Sequence, residues 1–181
     1  MRWTVHGERY LHESDWMSLA LVDVEIPGER RFDHHVLRYP RAAAGTLVVD
    51  PRSRSVLLLY RHRFVTDRWG WEIPGGGLEP GESPEDAARR EAVEESGWRP
   101  LSLEPLVEYT PMPGGVDQVF HLFFANGAEH VGDPTDPAES ERIEWVPVEE
   151  VRRALTDGRI SEGMTLTALA LAFATGAFDP I

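Results

Sequence analysis

"GGLEPGESPEDAARREAVEESGW" (Gly76–Trp98) is the stretch on which the reading of the chain turns. Its middle is a helix by local rules. Ser83 is a good N-cap, Pro84 suits the first helical position, and Asp86 completes a capping-box-like S-x-x-D pattern. Gly97 supplies the C-terminal stop. On such a helix Glu91, Glu94 and Glu95 project within an arc of roughly 100°, and Glu82 stands just ahead of the N-cap. Like charges one turn apart destabilise a helix by about 0.2–0.5 kcal/mol per pair. The face is therefore either solvated surface or a seat for something positive, and the helix alone does not choose.

The spacing does choose. The residues run G-x5-E-x7-R-E-A-x-E-E-x-G-W, which resembles the Nudix box, G-x5-E-x7-R-E-U-x-E-E-x-G-U with U a bulky apolar residue. Gly76, Glu82, Arg90, Glu91, Glu94, Glu95 and Gly97 fall on its seven fixed positions. Ala92 is small and Trp98 aromatic where an aliphatic residue is usual. The resemblance implies an α/β/α sandwich with a mixed sheet, the box forming a loop-helix-loop. It also implies cleavage of a nucleoside diphosphate linked to another moiety. By position, Glu91 and Glu95 would be metal ligands, Glu94 would assist catalysis, and the Gly75 carbonyl would complete the shell around Mg²⁺ or Mn²⁺. Ligand chemistry agrees, because Mg²⁺ takes carboxylate, carbonyl and water oxygens and shares its shell with substrate phosphates. Bound metal can then orient water and stabilise charge on the leaving oxygen. Arg90, counted with the catalytic set, has two readings: orienting Glu82 or Glu94 by pairing, or touching substrate. The pairing role carries more weight.

Composition narrows the partners. With 181 residues, 41% of them hydrophobic and 27% charged, one domain with a small appendage is expected. A net charge of −13 repels nucleic acid and anionic membranes. A small phosphorylated partner remains if a cation offsets the local charge. No cysteine is present, which excludes disulfides, thiolate zinc sites and a cysteine nucleophile. All 18 basic side chains are arginines, so there is no Schiff-base lysine and no P-loop lysine. "MRWTVHGERYLHESDW" lacks an apolar h-region and no apolar run is long enough to span a membrane; a soluble cytoplasmic protein is expected. Seven histidines lack zinc-site spacing, and the six tryptophans read as core.

Along the chain, "DWMSLALVDVEIPG" and "HHVLRYP" read as two strands of a small amino-terminal β-sheet over residues 1–43, and the main domain is expected over 44–181. "TLVVD" and "SVLLLYRHRF" form a hairpin around "PRSR". "WEIP" is a short strand entering the glycine loop Gly75–Gly77. "LSLEPLVEYT", "QVFHLFFAN" and "RIEWV" are further strands. "VEEVRRALTDG" and "SEGMTLTALALAFATG" are closing helices, the second with Leu166, Leu169 and Phe173 on one side. "VGDPTDPAESE" is the longest loop.

Other segments bear on the substrate. Pro113-Gly114-Gly115, after Trp98, resembles the proline-containing segment of the ADP-ribose pyrophosphatase subgroup, though Pro-Gly-Gly would turn between strands in any case. "VLLLYRHRF" followed by "WEIPGG" resembles that subgroup's strand and entry to the box. The resemblance places Pro113 and Gly114 with substrate, Arg63 against the nucleotide, and Glu72 on substrate or its waters; Arg63 reads equally as a surface arginine. In "DPAESERIEWV" the resemblance makes Glu139 the general base and Glu141 an accessory metal ligand, with exchange of the two roles open. A loop base can close over bound substrate. The subgroup's layout also implies an intertwined homodimer. The expected activity is Mg²⁺-dependent hydrolysis of ADP-ribose or a related nucleoside diphosphate sugar to AMP and a sugar phosphate. Its rivals are a pyrophosphohydrolase of oxidised nucleoside triphosphates and a non-catalytic nucleotide sensor.

Overall fold

The computed structural model describes residues 1–135 and 137–178. Asp136 of the long loop and the last three positions of the expected main domain lie outside the described residues. Residues 1–42 and 109–119 form one compact unit, and residues 43–108 with 120 onward form another.

The first unit is an antiparallel sheet of β1 (Thr4–His12), β2 (Ser18–Ile26) and β3 (Arg30–Arg38), with β2 in the middle. β2 buries Ala20, Val22, Val24 and Ile26, the period-two set of a half-buried strand. β1 is exposed along its whole length and had no apolar alternation to announce it. The segment around Pro113-Gly114-Gly115 belongs to this unit. It lies along β3, where Leu37 N–H donates to Gly115 O at 2.8 Å and Tyr39 N–H to the Asp117 carboxylate at 2.8 Å.

The second unit holds β4 (Ala43–Asp50), β5 (Ser55–Arg63), β6 (Arg68–Glu72), β7 (Gly75–Gly77) and α1 (Pro84–Ser96). After these come β8 (Trp98–Pro100), β9 (Glu104–Tyr109, all but its last residue in this unit), β10 (Phe120–Asn126), β11 (Ala128–His130), β12 (Arg142–Pro147), α2 (Val148–Asp157) and α3 (Gly163–Ala174). The main sheet runs β12-β5-β4-β10-β9, with β6 on β5 and β7 on β4. β4 and β10 are parallel, whereas β5 is antiparallel to β4, β6 and β12. The sheet is therefore mixed and, with its helices, of the expected α/β class.

The β4–β5 hairpin forms, but the two strands pair only at Val49–Val56 and Asp50–Ser55. Beyond that they part. β6 takes over β5 from Leu59 to Arg63, and β7 takes over β4 at Ala43–Gly45. The stretch Gly75–Gly77, expected as a loop, is thus a short strand pinned backbone to backbone. At Gly75 the neighbouring backbone leaves no room for a side chain, since a Cβ there would stand 2.7 Å from Ala44 O.

α1 packs on β4, β7 and β10 through Ala87, Ala88 and Ala92, all fully buried. Small residues let it approach closely enough for Thr46 Oγ1 to donate to Ala88 O at 3.0 Å. α3 packs on β4, β6 and β10, and α2 on β5 and β12. In α3 the buried stripe is Thr165, Ala168, Leu169 and Ala172, one step round from the expected Leu166, Leu169 and Phe173. The small side chains win because Thr165 Oγ1 must reach the Ile73 N–H, 3.0 Å away. Trp98 caps the core edge-on to Trp145 at 5.1 Å. Short β8 and β11 pair only with each other, and three-residue strands carry too little periodicity to be read. Among the described residues no helix is long and apolar enough to cross a membrane.

Candidate active site

The helix that carries the acidic face forms as its caps dictate. Ser83 Oγ accepts from Asp86 N–H at 3.1 Å, and Gly97 takes φ +75° while its N–H bonds Val93 O. Rotation about this helix grades the three carboxylates. Glu95 continues the line of Ala88 and Ala92 into the core, Glu91 lies 40° to one side, and Glu94 further round. Their side chains are 5%, 14% and 43% exposed in that order. The face is not uniformly wet.

Each carboxylate is held. Arg90 donates to Glu82 from Nε (2.9 Å) and Nη2 (3.0 Å), to Glu91 and Glu94 from Nη1 (both 2.8 Å), and to Gly77 O. It fastens the start of the box to the helix. Its guanidinium keeps Glu82 below the usual carboxylate range. Gly76 lies under Glu91, and a Cβ there would be 2.5 Å from Glu91 Oε1. This glycine leaves room for a carboxylate. Gly75 meets Glu95 through its N–H, which donates to Oε2 at 2.8 Å.

The buried cation of the site is Arg61, which the sequence reading passed over. It is 4% exposed and donates from Nη1 to Glu95 Oε1 at 2.8 Å. Glu72 Oε2 lies 3.8 Å from its Nε, and Glu139 Oε2 lies 3.8 Å from its Nη1. The missing signal was its place on β5 just after the run Val56–Leu59, all four fully buried, on the face of Leu57 and Leu59. Arg63, two residues on, is half-exposed and grips Glu72 at 2.6–3.1 Å. Arg63 and Glu72 also line a cavity of about 650 Å³ with Trp69, Trp71 and Glu162.

The loop carrying Glu139 is tied at both ends. Val131 N–H donates to Gly97 O and Thr135 N–H to Glu94 O, while Glu141 N–H donates to Tyr60 O, each at 2.9 Å. Glu139 thereby comes beside Glu95. Burial first, and this neighbouring carboxylate with it, push the Glu95 carboxyl up to about 7 against the pull of Arg61 and Gly75 N–H. Burial also pushes Glu91 up. The Glu141 side chain is exposed and forms no ion pair among the described residues. Pro113 and Gly114 belong to the other unit, where His34 Nε2 lies 2.7 Å from Gly114 O. The structure thus gathers Glu72, Glu82, Glu91, Glu94, Glu95 and Glu139 around three guanidinium groups in one unit.

Six carboxylates against three fixed cations leave negative charge for a divalent ion, and hard oxygen donors suit Mg²⁺ or Mn²⁺. Among the described residues no three acidic or histidine side chains form a ready-made metal cage. Mg²⁺ asks for none, taking one or two carboxylates and filling its shell with water and phosphate oxygens. The donor set fits such an ion.

The NUDIX domain model matches residues 39–166. The chain belongs to the Nudix family. This Nudix hydrolase is 42% identical over 172 residues to the CMP-5'-(N-acetyl-N-hydroxy-3-aminopropyl)phosphonate hydrolase of Streptomyces rubellomurinus, across 94% of this chain and 82% of that one. It is 31% identical over 135 residues to the ADP-ribose pyrophosphatase of Bacillus subtilis, across 75% and 70% of the two chains. A solved structure described as an ADP compounds hydrolase superposes with a TM-score of 0.85 over 98% of this chain and 96% of that one. At 20% identity, it supports the fold.

Proposed function

We propose that this Nudix hydrolase cleaves the phosphoanhydride of ADP-ribose or a related nucleoside diphosphate sugar, with Mg²⁺ as cofactor and Mn²⁺ able to replace it. One observation carries the reading. Two carboxylates of one helix face, Glu91 and Glu95, are held in place with burial opposing their charge, and a third, Glu139, is brought to Glu95 from a separate loop. A bound divalent ion would neutralise these oxygens and polarise both the phosphate and the attacking water. Glu91 and Glu95 would hold it, with the Gly75 carbonyl and Glu141 as further donors and Glu94 assisting through Arg90. Glu139 takes the proton from water as the water oxygen attacks one phosphorus, and the bridging oxygen leaves with the other phosphate. Arg63 and Glu72 form one wall of a cavity large enough for a nucleotide, and Pro113 and Gly114 are assigned to substrate by the resemblance.

A second substrate reading has its own support. The likeness to the CMP-phosphonate hydrolase runs at 42% over nearly the whole chain. Such a compound shares with ADP-ribose a nucleoside monophosphate bridged through oxygen to a second phosphorus. A panel of ADP-ribose, nucleoside diphosphate sugars, a CMP-linked phosphonate and nucleoside triphosphates, with Mg²⁺, Mn²⁺ or EDTA, decides between them. The expected result is metal-dependent release of a nucleoside monophosphate, AMP from ADP-ribose or CMP from the phosphonate. Release of inorganic pyrophosphate from triphosphates alone would overturn both readings. The protein is also read as a cytoplasmic homodimer. β1 supports the dimer, for it presents Val5 (64% exposed), Tyr10 and Leu11 on an uncovered strand, which soluble proteins ordinarily cover.

A further inference from the structure

Arg61 is an unusual place for a charge. Two of its nitrogens, Nε and Nη2, are buried and make no hydrogen bond among the described residues. A guanidinium carries five N–H donors in a fixed fork, and natural interiors rarely leave such donors unmade. Three carboxylates from three different elements surround it: Glu72 from β6, Glu95 from α1, and Glu139 from the loop before β12. Only Glu95 is within hydrogen-bond reach. The other two stop at 3.8 Å, so the guanidinium is central to the acids without being saturated by them. A residue serving packing alone would be an apolar continuation of Leu57 and Leu59, or an arginine with its fork filled.

We propose that Arg61 is a resident counter-ion for Glu95 and Glu139, and that it competes with the divalent cation for their oxygens. The inference rests on the reading that α1 binds the cation. In the metal-free enzyme Arg61 offsets the repulsion between Glu95 and Glu139 and keeps both near their working positions. The same positive charge opposes entry of a second cation a few ångströms away. Arg61 thus makes the metal-free fold tolerable and weakens metal binding, and it positions Glu95 without touching substrate. Arg90 does not share this role, because its fork is filled by Glu82, Glu91, Glu94 and Gly77 O.

The test is Mn²⁺ titration by calorimetry, without substrate, on the full chain and on Arg61→Gln and Arg61→Lys. Arg61→Gln is expected to bind Mn²⁺ about tenfold or more tightly than wild type. It should melt lower in EDTA and gain more from added Mn²⁺. Arg61→Lys, which keeps the charge, should stay close to wild type. Equal or weaker Mn²⁺ binding by Arg61→Gln overturns the proposal and leaves the hydrolase reading intact. Absence of Mn²⁺ uptake by wild type, with or without a diphosphate, ends both. Should Arg61→Gln not fold, wild type with ¹⁵N-labelled arginine decides. The buried Arg61 Nε–H signal, assigned by its loss in Arg61→Lys, is expected to shift saturably with Mg²⁺, and a signal indifferent to Mg²⁺ overturns the proposal.

Discussion

At the scale of single residues, the site depends on where side chains are absent as much as on where they stand. The nearest atoms to a Cβ on Gly76 would be those of the Glu91 carboxylate, 2.5 Å away at the closest. Gly76→Ala should push that carboxylate aside by about an ångström and lower turnover on the order of 10²-fold, while circular dichroism stays native. Unaltered turnover would mean that Glu91 has no fixed place in the reaction. Glu95 gives a pH dependence. Its carboxyl is raised from 4.5 to about 7 by burial and by Glu139, with Arg61 and Gly75 N–H acting the other way and Glu91 one turn back on the same helix. A raised folded pKa means that the contribution to stability is full below the unfolded value and is lost as pH climbs through the folded one. In EDTA, the melting temperature of wild type relative to Glu95→Gln should therefore fall between about pH 5 and pH 8, by roughly 2–4 °C for each kcal/mol of linkage. A flat difference would show that Glu95 stays charged throughout.

At the scale of elements, α1 was legible because its signals are local. Ser83, Pro84 and Gly97 each act within a turn of themselves, and the structure places them as cap, first residue and stop. Ser83→Ala should cost about 1 kcal/mol and leave turnover unchanged. Gly97→Ala should cost more, because it forces a side chain into positive φ, worth about 1–3 kcal/mol, with its Cβ 2.0 Å from Gly132 O. Urea denaturation of the two variants checks the ranking, and an equal loss would mean that the C-terminal turn relaxes freely. The rest was illegible for equally physical reasons. β7 is three glycines whose strand character comes wholly from β4. β1 is polar and exposed, so no apolar period marks it. Arg61 escaped because an arginine on a strand ordinarily reads as surface, and only its place after Leu57 and Leu59 says otherwise. Glu139 could be named by resemblance, but its position beside Glu95 depends on backbone ties to α1 and β5.

At the scale of the whole molecule, the proposed dimer should give light scattering at twice the mass of one chain. Val5→Glu with Leu11→Glu, on exposed β1, should shift it to one chain; a wild type already monomeric would remove the dimer. The division into units cuts across the order of the chain, since residues 109–119 return to the amino-terminal unit. The ladders of the main sheet show the same habit. β4 and β5 share only two residue pairs with each other, and their long ladders join Ala43 to Phe120 and Tyr60 to Arg142. During translation the acidic helix therefore leaves the ribosome well before β10, which completes its platform, and before β12, which follows the Glu139 loop. Closing such distant pairings is slow, and until it happens Glu139 stays apart from Glu95. The nascent chain has no reaction centre to protect or misuse until its last strand is out.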